Sequence, residues 1–443
     1  MPALFGTDGV RGEPGRPPLD ARTLARLGAA VARALGNGRA ALLAARDTRQ
    51  SGSWIEQELA RGVAHQRGTL VSAGVLPTPA AALLVPAGGF DGALVVSASH
   101  NPCPDNGIKV LTARGEKASP ATEAEIEARV ADESWTVAAA ARPQVEVRDL
   151  SDAYRAHAAG VLAGSAPAAP FRIAIDCANG AMSRVAPRVL RELGFDVVAL
   201  NADPDGVNIN RSCGSTHPEG LQHAVRARGC RLGLAFDGDG DRVILVDHRG
   251  ELVDGDAMLF ICARFLRGQG RLPGNAVVAT VMSNIGLEIA LRGAGVTLHR
   301  CAVGDRQVRE AMVEHGVALG GEQSGHLIFS DLLPTGDGLL TALSIIKVMG
   351  ETGRELADLR RGLEVCPQVL VNVPVRSKPD LASEPRLTAS VEEARRVLGR
   401  EGRVLVRYSG TEPLLRVMIE GRDAALVRRL ADGLAGRARE LLG

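Results

Sequence analysis

The sequence has almost no excess of charge of either sign, and this narrows the partners that the chain can have. It carries 52 Lys and Arg residues against 51 Asp and Glu residues, a formal net charge of +1 over 443 residues. Without a strong field of one sign, general attraction to nucleic acid or to an anionic membrane is not expected. Any anionic ligand must therefore be held by a local cluster of basic groups.

Long apolar runs and paired cysteines are also missing. No stretch approaches the roughly 18 to 20 apolar residues that a membrane-spanning helix needs, and the first residues lack the basic segment and apolar run of a secretory signal. The seven cysteines are scattered, and no two of them form the C-x-x-C pair of zinc or redox sites. We therefore expect a cytoplasmic protein with free thiols.

What the sequence does contain is an alternation of short apolar runs with stretches of helical spacing, and 45% of the residues are hydrophobic. Leu24, Leu27 and Val31, for example, would share one face of a helix. The apolar runs include Ala93–Val96, Ile173–Ile175, Leu232–Phe236, Val243–Val246 and Val277–Val281. Continuous apolar strands that alternate with helices favour an α/β architecture of mostly parallel sheets covered on both faces.

Two changes of composition divide this pattern. Ala158–Pro170 is rich in Ala, Gly and Pro, which predicts a surface connection. After Cys366 and Pro367 the order becomes strand, helix, strand, strand, helix, which predicts a small separate α+β domain. The predicted elements of this tail are Val369–Val373, Leu387–Leu398, Val404–Val406, Leu415–Ile419 and Val427–Leu441.

Three of the apolar strands run directly into polar loops with ligand-type residues. The loops are Ser97–Pro102 after Leu94–Val96, Asp237–Arg242 after Leu232–Phe236, and Gly320–His326 after Val317–Leu319. Open α/β sheets bind ligands beyond the carboxyl ends of their strands. The sequence therefore predicts three similar α/β domains that each offer one loop to a shared cleft.

The loop Asp237-Gly238-Asp239-Gly240-Asp241-Arg242 has the chemistry of a magnesium site. Alternate residues of an extended chain point the same way, so the three carboxylates would converge, and oxygen ligands suit a hard divalent cation. An EF-hand calcium loop is excluded, because His248 stands where that loop needs glutamate. The alternative is a solvated acidic turn, which would leave three carboxylates repelling one another.

The segment Ser97–Pro102 offers a candidate nucleophile in Ser99. A serine hydroxyl reacts poorly until a base or a metal ion activates it, and His100 and Lys109 supply candidate proton carriers and positive charge. The segment lacks the G-x-S-x-G elbow of serine hydrolases, and the chain has no G-x-x-x-x-G-K-[ST] phosphate loop. Alone, such a strand end is more often a plain turn; beside a metal loop it suggests phosphoryl transfer.

In the segment Gly320–His326, two residues could contact a sugar and one could move a proton. Glu322 and Ser324 would face the same side of an extended loop and could bind sugar hydroxyls or an amine. His326 has the right chemistry for proton transfer near neutral pH. The alternative is a structural loop, since a lone histidine is usually structural.

Two further segments could bind anions. Arg407–Pro413 and Arg416 combine backbone N–H groups, hydroxyls and arginines, which suit a phosphate that is not reacting. An ordinary hairpin turn is the alternative. In Phe5–Gly12, three glycines surround Arg11, which a tightly turned backbone would aim at an anion; a strand and turn without function is the alternative.

Five motifs in order carry a resemblance that spans essentially the whole chain. They are GTDGVRG (6–12), SASHNPCPDNGIK (97–109), FDGDGDR (236–242), GGEQSGH (320–326) and RYSGTEPLLRV (407–417). Together they resemble the α-D-phosphohexomutase superfamily and, within it, the bacterial phosphoglucosamine mutases. Gln323 is similar to the phosphoglucosamine mutases, whereas enzymes for mannose and glucose phosphates tend to carry methionine at that position.

The resemblance implies three similar mixed-sheet α/β domains and a C-terminal α+β domain around a central cleft. The domains would comprise residues 1–160 with a phosphoserine loop, 161–252 with a metal loop, 253–366 with a sugar-recognition loop, and 367–443 with a phosphate-binding loop.

The resemblance also implies roles for particular residues. Ser99 would carry the phosphoryl group, and the ligands of Mg²⁺ would be Ser99, Asp237, Asp239 and Asp241. Charge stabilisation and acid–base work would fall to Arg11, His100, Lys109 and His326. The substrate would be bound by Glu322, Ser324, Arg407, Ser409, Gly410, Thr411 and Arg416.

The implied reaction interconverts glucosamine 6-phosphate and glucosamine 1-phosphate through a phosphoserine and glucosamine 1,6-bisphosphate (or glucose 1,6-bisphosphate), feeding the synthesis of amino-sugar nucleotides and cell-wall precursors. The partner would be a small sugar phosphate, with no nucleic acid or membrane, and the chain could act alone or as a homodimer. Three alternatives stay open. They are a phosphomannomutase or phosphoglucomutase, a phosphatase with an aspartate nucleophile, and a non-catalytic sugar-phosphate sensor.

Overall fold

The computed structural model of the chain describes residues 4–6, 8–36, 39–138, 143, 145–164, 170–409 and 412–443. The chain divides into two units. Unit 1 comprises residues 1–281 and 299–360, and unit 2 comprises residues 282–298 and 361–443.

The first part of unit 1 builds a six-stranded sheet. Its elements are β1 (Val10–Gly12), α1 (Ala21–Gly36), β2 (Ala41–Arg46), α2 (Gly52–His65), β3 (Thr69–Val75), α3 (Thr78–Gly88), β4 (Gly92–Val96), β5 (Asn106–Thr112), α4 (Pro120–Ala131) and β6 (Glu146–Val147). The strand order is β1-β5-β4-β2-β3-β6, with β2 parallel to β3 and β4, and β4 antiparallel to β5. Strand β4 is buried along its whole length, as expected for a continuous apolar run in a sheet covered on both faces.

The second part of unit 1 builds a five-stranded sheet of similar design. Its elements are α5 (Ser151–Gly160), β7 (Arg172–Asp176), α6 (Met182–Glu192), β8 (Asp196–Leu200), α7 (Glu219–Ala227), β9 (Leu232–Phe236), β10 (Val243–Asp247) and β11 (Leu252–Val253). The order is β11-β10-β9-β7-β8. Strand β7 lies parallel to β8 and β9, and β9 turns back into the antiparallel strand β10.

A four-stranded sheet follows, with the order β13-β12-β14-β15. The elements in this part of the chain are α8 (Gly255–Gly268), β12 (Ala276–Thr280), α9 (Ile285–Gly293), β13 (Thr297–Cys301), α10 (Asp305–His315), β14 (Leu319–Gly321), β15 (Leu327–Phe329), α11 (Gly338–Thr352) and α12 (Leu356–Leu359). Strand β12 is parallel to β14, which is antiparallel to β15. Helix α9 belongs to unit 2.

The rest of unit 2 contains an antiparallel sheet of three strands in the order β16-β18-β17. Its elements are β16 (Gln368–Pro374), α13 (Pro385–Leu398), β17 (Gly402–Tyr408), β18 (Leu414–Gly421) and α14 (Ala424–Leu442). Apolar residues of both helices and all three strands form one core, including Val373, Leu387, Val404, Val417 and Leu434. The predicted order of elements in this tail is confirmed.

The three sheets of unit 1 share one plan, in which a parallel strand is followed by a loop and an antiparallel partner. The pairs are β4–β5, β9–β10 and β14–β15. Three mixed α/β sheets and a C-terminal α+β sheet domain are therefore confirmed, whereas the boundaries predicted after residues 160, 252 and 366 stay predictions.

The surface connection predicted at Ala158–Pro170 begins as the end of α5 and continues as a turn to residue 164. Residues 165–169 lie outside the described part of the chain. Within the described ranges, no helix has both the length and the apolar character needed to cross a membrane.

Candidate active site

The three predicted ligand loops are the connections of the three repeated hairpins of unit 1. Residues 97–105 join β4 to β5, residues 237–242 join β9 to β10, and residues 322–326 join β14 to β15. Each loop leaves the carboxyl end of a strand, the position where open α/β sheets bind ligands. Side-chain contacts of Ser99 and of His326 with the Asp237–Arg242 loop bring the three loops together.

Ser99 points its hydroxyl at the three-aspartate loop. Its Oγ donates a hydrogen bond to Asp237 Oδ2 at 2.7 Å and lies 3.2 Å from His100 Nδ1. The residue is buried and adopts a left-handed backbone with φ of 49°, which is uncommon outside glycine. The two loops meet so closely that a Cβ at Gly238 would lie 2.5 Å from the Ser99 carbonyl oxygen. Glycine is therefore required there.

The carboxylates of Asp237, Asp239 and Asp241 converge as predicted. One oxygen from each lies within 4.8 Å of the others, and all three residues are buried. The turn is closed by Gly240, at φ of 75°, whose N–H donates to Asp237 Oδ1. This geometry places three acidic side chains around one point.

The donor set fits a hard divalent cation. In the described part of the chain, Asp239 Oδ1 and Asp241 Oδ1 are buried without a hydrogen-bond partner. A buried oxygen without a donor is costly, and a cation would satisfy both atoms at once. Oxygen ligands with space for a phosphate are typical of Mg²⁺ sites.

Lys109 supplies the positive charge nearest to these carboxylates. Its fully buried Nζ lies 2.9 Å from Asp239, 3.2 Å from Asp241 and 3.4 Å from Asp8. Burial alone would lower the pKa of Lys109, but the carboxylates of Asp239, Asp8 and Asp241 hold that pKa well above its ordinary value. Lys109 is thus an ammonium group at neutral pH.

The same charges separate the acidities of two aspartates in one loop. Burial, followed by the neighbouring charges of Asp241 and Asp239, raises the pKa of Asp237 well above its usual range. Burial acts on Asp241 too, but Lys109 and His326 bring the pKa of Asp241 well below that range. Asp241 is therefore the firmly ionised member of the pair.

His326 is buried between the metal loop and a backbone amide. Its Nδ1 lies 3.7 Å from Asp241 Oδ2, and its Nε2 accepts the Gly336 N–H at 3.2 Å. Because Gly336 occupies the Nε2 lone pair, the neutral ring carries its proton on Nδ1, facing Asp241. Burial lowers the pKa of His326, but its contact with Asp241 outweighs burial and leaves the pKa raised.

Arg11 and His100 border the Ser99 loop from two sides. Arg11 donates to the Ser97 carbonyl oxygen at 3.3 Å and to the Asp8 side chain. His100 is exposed at the residue level, but partial desolvation, together with the nearby Arg242, lowers its pKa. The imidazole of His100 is therefore neutral at pH 7.

Three residues of this site were not among the predicted ones. Arg242 Nη1 lies 3.4 Å from His100 Nδ1, and its Nε lies 3.7 Å from Asp241 Oδ1. The position of Arg242 directly after Asp241 in the sequence could have identified it as a site residue. Asp8, which stands in the first motif, pairs with Lys109, and Thr78 donates to Asp239 Oδ2 at 2.6 Å. Nothing in the sequence around Thr78 indicates that contact.

The loop predicted to recognise the sugar has one fixed and one exposed residue. Glu322 is nearly buried, and its Oε1 accepts the Gly304 N–H at 3.2 Å. Ser324 is exposed. Between them, Gln323 donates to Asp254 Oδ2 at 3.2 Å, which ties the loop to the start of α8.

The predicted phosphate loop belongs to unit 2. Arg407 and Arg416 stand directly opposite each other on the antiparallel strands β17 and β18. Arg416 donates to Ser409 Oγ at 3.4 Å and to Glu412 at 3.1 Å. Gly410 and Thr411 lie outside the described residues. The sequence did not point to Lys378, whose Nζ donates to the Ser409 carbonyl oxygen at 2.6 Å.

Four family models match the chain in consecutive order. Three describe the α/β/α domains I, II and III of phosphoglucomutase/phosphomannomutase, matching residues 2–137, 152–250 and 254–365. The fourth describes the C-terminal domain of the same proteins and matches residues 370–437.

Close relatives match over nearly their whole length. A phosphoglucosamine mutase from Desulforudis audaxviator is 48% identical over 441 residues, which is 98% of this chain and 97% of that protein. A phosphoglucosamine mutase from Deinococcus radiodurans is 45% identical over 434 residues, which is 97% of this chain and 96% of that protein.

Two solved structures have the same fold. A phosphoglucomutase/phosphomannomutase family protein from Burkholderia thailandensis matches with a TM-score of 0.82 at 25% identity, covering 99% of this chain and 98% of that chain. An N-acetylphosphoglucosamine mutase from Aspergillus fumigatus, solved with GlcNAc-6P and magnesium, matches with a TM-score of 0.67 at 17% identity, covering 99% and 95%. With all four domain models and full-length relatives in agreement, the chain belongs to the phosphoglucomutase/phosphomannomutase family.

Proposed function

We propose that the chain interconverts glucosamine 6-phosphate and glucosamine 1-phosphate, with Ser99 as the covalent phosphoryl carrier. The observation that carries this proposal is the 2.7 Å hydrogen bond from Ser99 Oγ to Asp237 Oδ2, inside a cluster of three buried aspartates. Relatives named phosphoglucosamine mutase, 44–48% identical to the chain, support the choice of sugar.

The reaction moves one phosphoryl group to the sugar and takes another back. Phosphorylated Ser99 loses its phosphoryl group to O1 of glucosamine 6-phosphate, so the bond from phosphorus to Ser99 breaks as the bond to O1 forms. The O1 hydroxyl gives up its proton, and Ser99 Oγ takes one up. The glucosamine 1,6-bisphosphate turns round, and its 6-phosphoryl group passes to Ser99. Glucosamine 1-phosphate is then released.

The buried charges of unit 1 suit this transfer. Asp237, Asp239, Asp241 and a Ser99 phosphate oxygen would hold Mg²⁺, which when bound supplies positive charge at the transferring group. Preorganised positive charge is the main source of catalysis in phosphoryl transfer. Lys109 adds a fixed ammonium beside the same carboxylates, and Arg11 is proposed to add a guanidinium.

Acid–base roles follow from protonation state and position. His100 is neutral at pH 7, and its Nδ1 lies 3.2 Å from Ser99 Oγ, so it can exchange a proton with that oxygen. Lys109 remains protonated and serves as a charge stabiliser or an acid. His326 keeps its Nδ1 proton towards Asp241.

Substrate binding would use the two remaining loops. Glu322 and Ser324 would bind the hydroxyl and amino groups of the sugar. The phosphate that is not reacting would be bound by Arg407, Ser409, Gly410, Thr411 and Arg416. Two arginines directly opposed on neighbouring strands repel each other, and a phosphate between them would relieve this repulsion.

The decisive experiment is Ser99→Ala assayed with glucosamine 6-phosphate, Mg²⁺ and catalytic glucosamine 1,6-bisphosphate. We expect turnover of the variant to be about six orders of magnitude below that of the wild type, as for removal of a covalent nucleophile. Ser390→Ala, on helix α13 of unit 2, is the control and should match the wild type. Full activity of Ser99→Ala would remove Ser99 from the mechanism.

The same preparation separates the alternatives. Turnover of glucose and mannose phosphates at rates above that of glucosamine 6-phosphate would indicate a phosphoglucomutase or phosphomannomutase. Intact-mass analysis should find an acid-stable phosphate on Ser99, whereas a labile acyl phosphate on an aspartate would indicate a phosphatase. Binding of substrate without turnover would indicate a sensor.

A further inference from the structure

A buried arginine outside the predicted site holds the backbone around Ser99. Arg49 lies between β2 and α2, and its side chain is fully buried. Its guanidinium donates at 2.5–3.2 Å to the backbone carbonyl oxygens of Ser99, Asn101, Pro102 and Asp105. A planar guanidinium presents five donors in a fixed fork, so one side chain can satisfy several carbonyl groups of a loop.

Asp47 fixes the orientation of this arginine and extends the network to Ser97. Asp47 Oδ2 accepts from Arg49 Nε at 2.9 Å and from Ser97 Oγ at 2.6 Å. Ser97 Oγ in turn accepts the Ser99 N–H at 2.9 Å. One buried carboxylate therefore connects to both peptide groups of Ser99.

The backbone of Ser99 needs such support because it is left-handed. L-residues adopt φ near 49° only at a cost in free energy. On the amino side the Ser99 N–H is held by Ser97, and on the carboxyl side its carbonyl accepts from Arg49 and from Asn210 Nδ2 at 2.8 Å. With both sides fixed, the side chain is directed at Asp237.

We propose that Arg49, oriented by Asp47, is a positioning residue for phosphoryl transfer, which holds the left-handed backbone of Ser99 and so aims its Oγ at the three-aspartate loop. The catalytic consequence rests on the proposed function; the structural hold on the loop does not. Lysine cannot replace Arg49, because an ammonium group has three donors around one atom and would leave loop carbonyl groups unsatisfied.

The test compares Arg49→Lys with a matched arginine elsewhere in unit 1. Arg26 is also buried, and its guanidinium also donates to backbone carbonyl oxygens, those of Val130, Trp135, Arg129 and Asp132. We expect Arg49→Lys to lower kcat about 100-fold, the usual effect of a displacement near 1 Å, with KM changed less than about 3-fold. Arg26→Lys should keep the wild-type kcat.

Hydrogen exchange measures the loop independently of catalysis. In Arg49→Lys, amides of residues 97–106 should exchange faster than in the wild type, and in Arg26→Lys they should not. Unchanged exchange, an unchanged kcat, or equal losses of kcat in the two variants would overturn the proposal. If the wild type itself does not turn over glucosamine 6-phosphate, the proposed function fails, while hydrogen exchange still decides whether Arg49 holds the loop.

Ser97→Ala gives a second variant with a smaller change, should Arg49→Lys fail to fold. It removes both the acceptor of the Ser99 N–H and the hydroxyl that donates to Asp47, and it leaves the arginine in place. We expect kcat to fall about 10-fold, which corresponds to about 1.4 kcal/mol for the lost hydrogen bond to the Ser99 N–H, together with faster exchange in residues 97–106. Wild-type kcat and exchange in Ser97→Ala would also overturn the proposal.

Discussion

The acidic site of unit 1 and the basic loop of unit 2 handle charge in opposite ways. In unit 1, the three aspartates and Lys109 are all at most 4% exposed, and their positions are fixed by mutual contacts. In unit 2, Arg407 is exposed and Arg416 is half-buried, on opposed strands of a hairpin. Charge in unit 1 is buried and dominated by carboxylates, whereas charge in unit 2 is open to solvent and includes two directly opposed arginines, one of which pairs with Glu412.

This difference fits two different tasks. Buried charges interact strongly because water does not screen them, and they stabilise a transition state without reorganising. Exposed arginines can bind and release a phosphate at little cost in folding free energy. The comparison predicts that changes in unit 1 alter rate and stability together, and that changes in unit 2 alter mainly affinity.

The largest effect is expected from Asp237→Asn. Turnover should fall about 1000-fold if Asp237 is the Mg²⁺ ligand that we propose, because a charged ligand would be lost where transition-state charge is stabilised. The same variant, measured with a chelator, should have a melting temperature about 2–4 °C higher, since it lacks a carboxylate that is destabilised first by burial and then by repulsion from Asp241 and Asp239. Asp247→Asn, in the same hairpin, is the control and should retain activity. Lower stability of Asp237→Asn would contradict the description of the site as crowded with negative charge.

Lys109→Met and Arg407→Met each remove one positive charge, the first in unit 1 and the second in unit 2, so that the effects on unfolding free energy can be compared. Lys109→Met leaves buried carboxylates without their cation and should cost about 3–5 kcal/mol of unfolding free energy. Arg407→Met lies on the surface and should change stability by less than about 0.5 kcal/mol. Urea unfolding with a chelator present measures both. Similar losses in the two variants would show that burial does not distinguish the sites.

The sequence alone could predict the residues whose neighbours in the chain reveal their chemistry. Asp237, Asp239 and Asp241 alternate with glycine after an apolar strand, and the structure brings their oxygens together. The apolar runs before the first two loops also predicted their strands, whereas the third strand is Leu319–Gly321 and shares only Leu319 with the predicted Val317–Leu319. The local sequence pattern was sufficient to predict a cluster when all of its interacting side chains belong to the same loop.

Contacts made across the fold could not be predicted in this way. Thr78 reaches Asp239, 161 residues away, and Arg49 reaches the Ser99 carbonyl group 50 residues away. Nothing in the sequence next to Thr78 or Arg49 encodes the partner, because the partner is fixed only when the sheet has formed. The left-handed backbone of Ser99 is a further feature of this kind.

A pH dependence of stability should come from unit 1 through Asp337. Burial raises the pKa of Asp337 to about 7, so between about pH 4 and 7 the folded protein binds a proton that the unfolded chain has released. Unfolding free energy should therefore fall as pH rises through this window, by about 1.4 kcal/mol per unit of pKa displacement. Asp337→Asn should flatten the profile in urea titrations.

The control for Asp337 lies in unit 2. Asp337 Oδ1 accepts from the N–H groups of Leu339 and Leu340 at the start of α11. Asp423 Oδ1 accepts in the same way from Ala425 and Leu426 at the start of α14, but on the surface. Asp423→Asn should leave the profile parallel to that of the wild type. Parallel profiles for Asp337→Asn and the wild type would contradict the prediction.

The smallest effect is expected from Arg416→Lys, because lysine keeps the positive charge and lacks only the planar set of donors of the guanidinium group. Arginine binds phosphate through two parallel hydrogen bonds, whereas lysine acts as a point charge. We expect KM for glucosamine 6-phosphate to rise about 10-fold, the loss of one good hydrogen bond, with kcat nearly unchanged. A rise in KM alone is typical of binding that is equal in the ground and transition states.

Steady-state kinetics at two ionic strengths would check the prediction for Arg416→Lys, since the wild-type KM should itself rise with salt if the phosphate binds at an exposed site. If Arg416→Lys instead lowered kcat and left KM constant, Arg416 would affect the rate, as the buried charges of unit 1 are expected to do. The contrast between the two regions would then no longer hold.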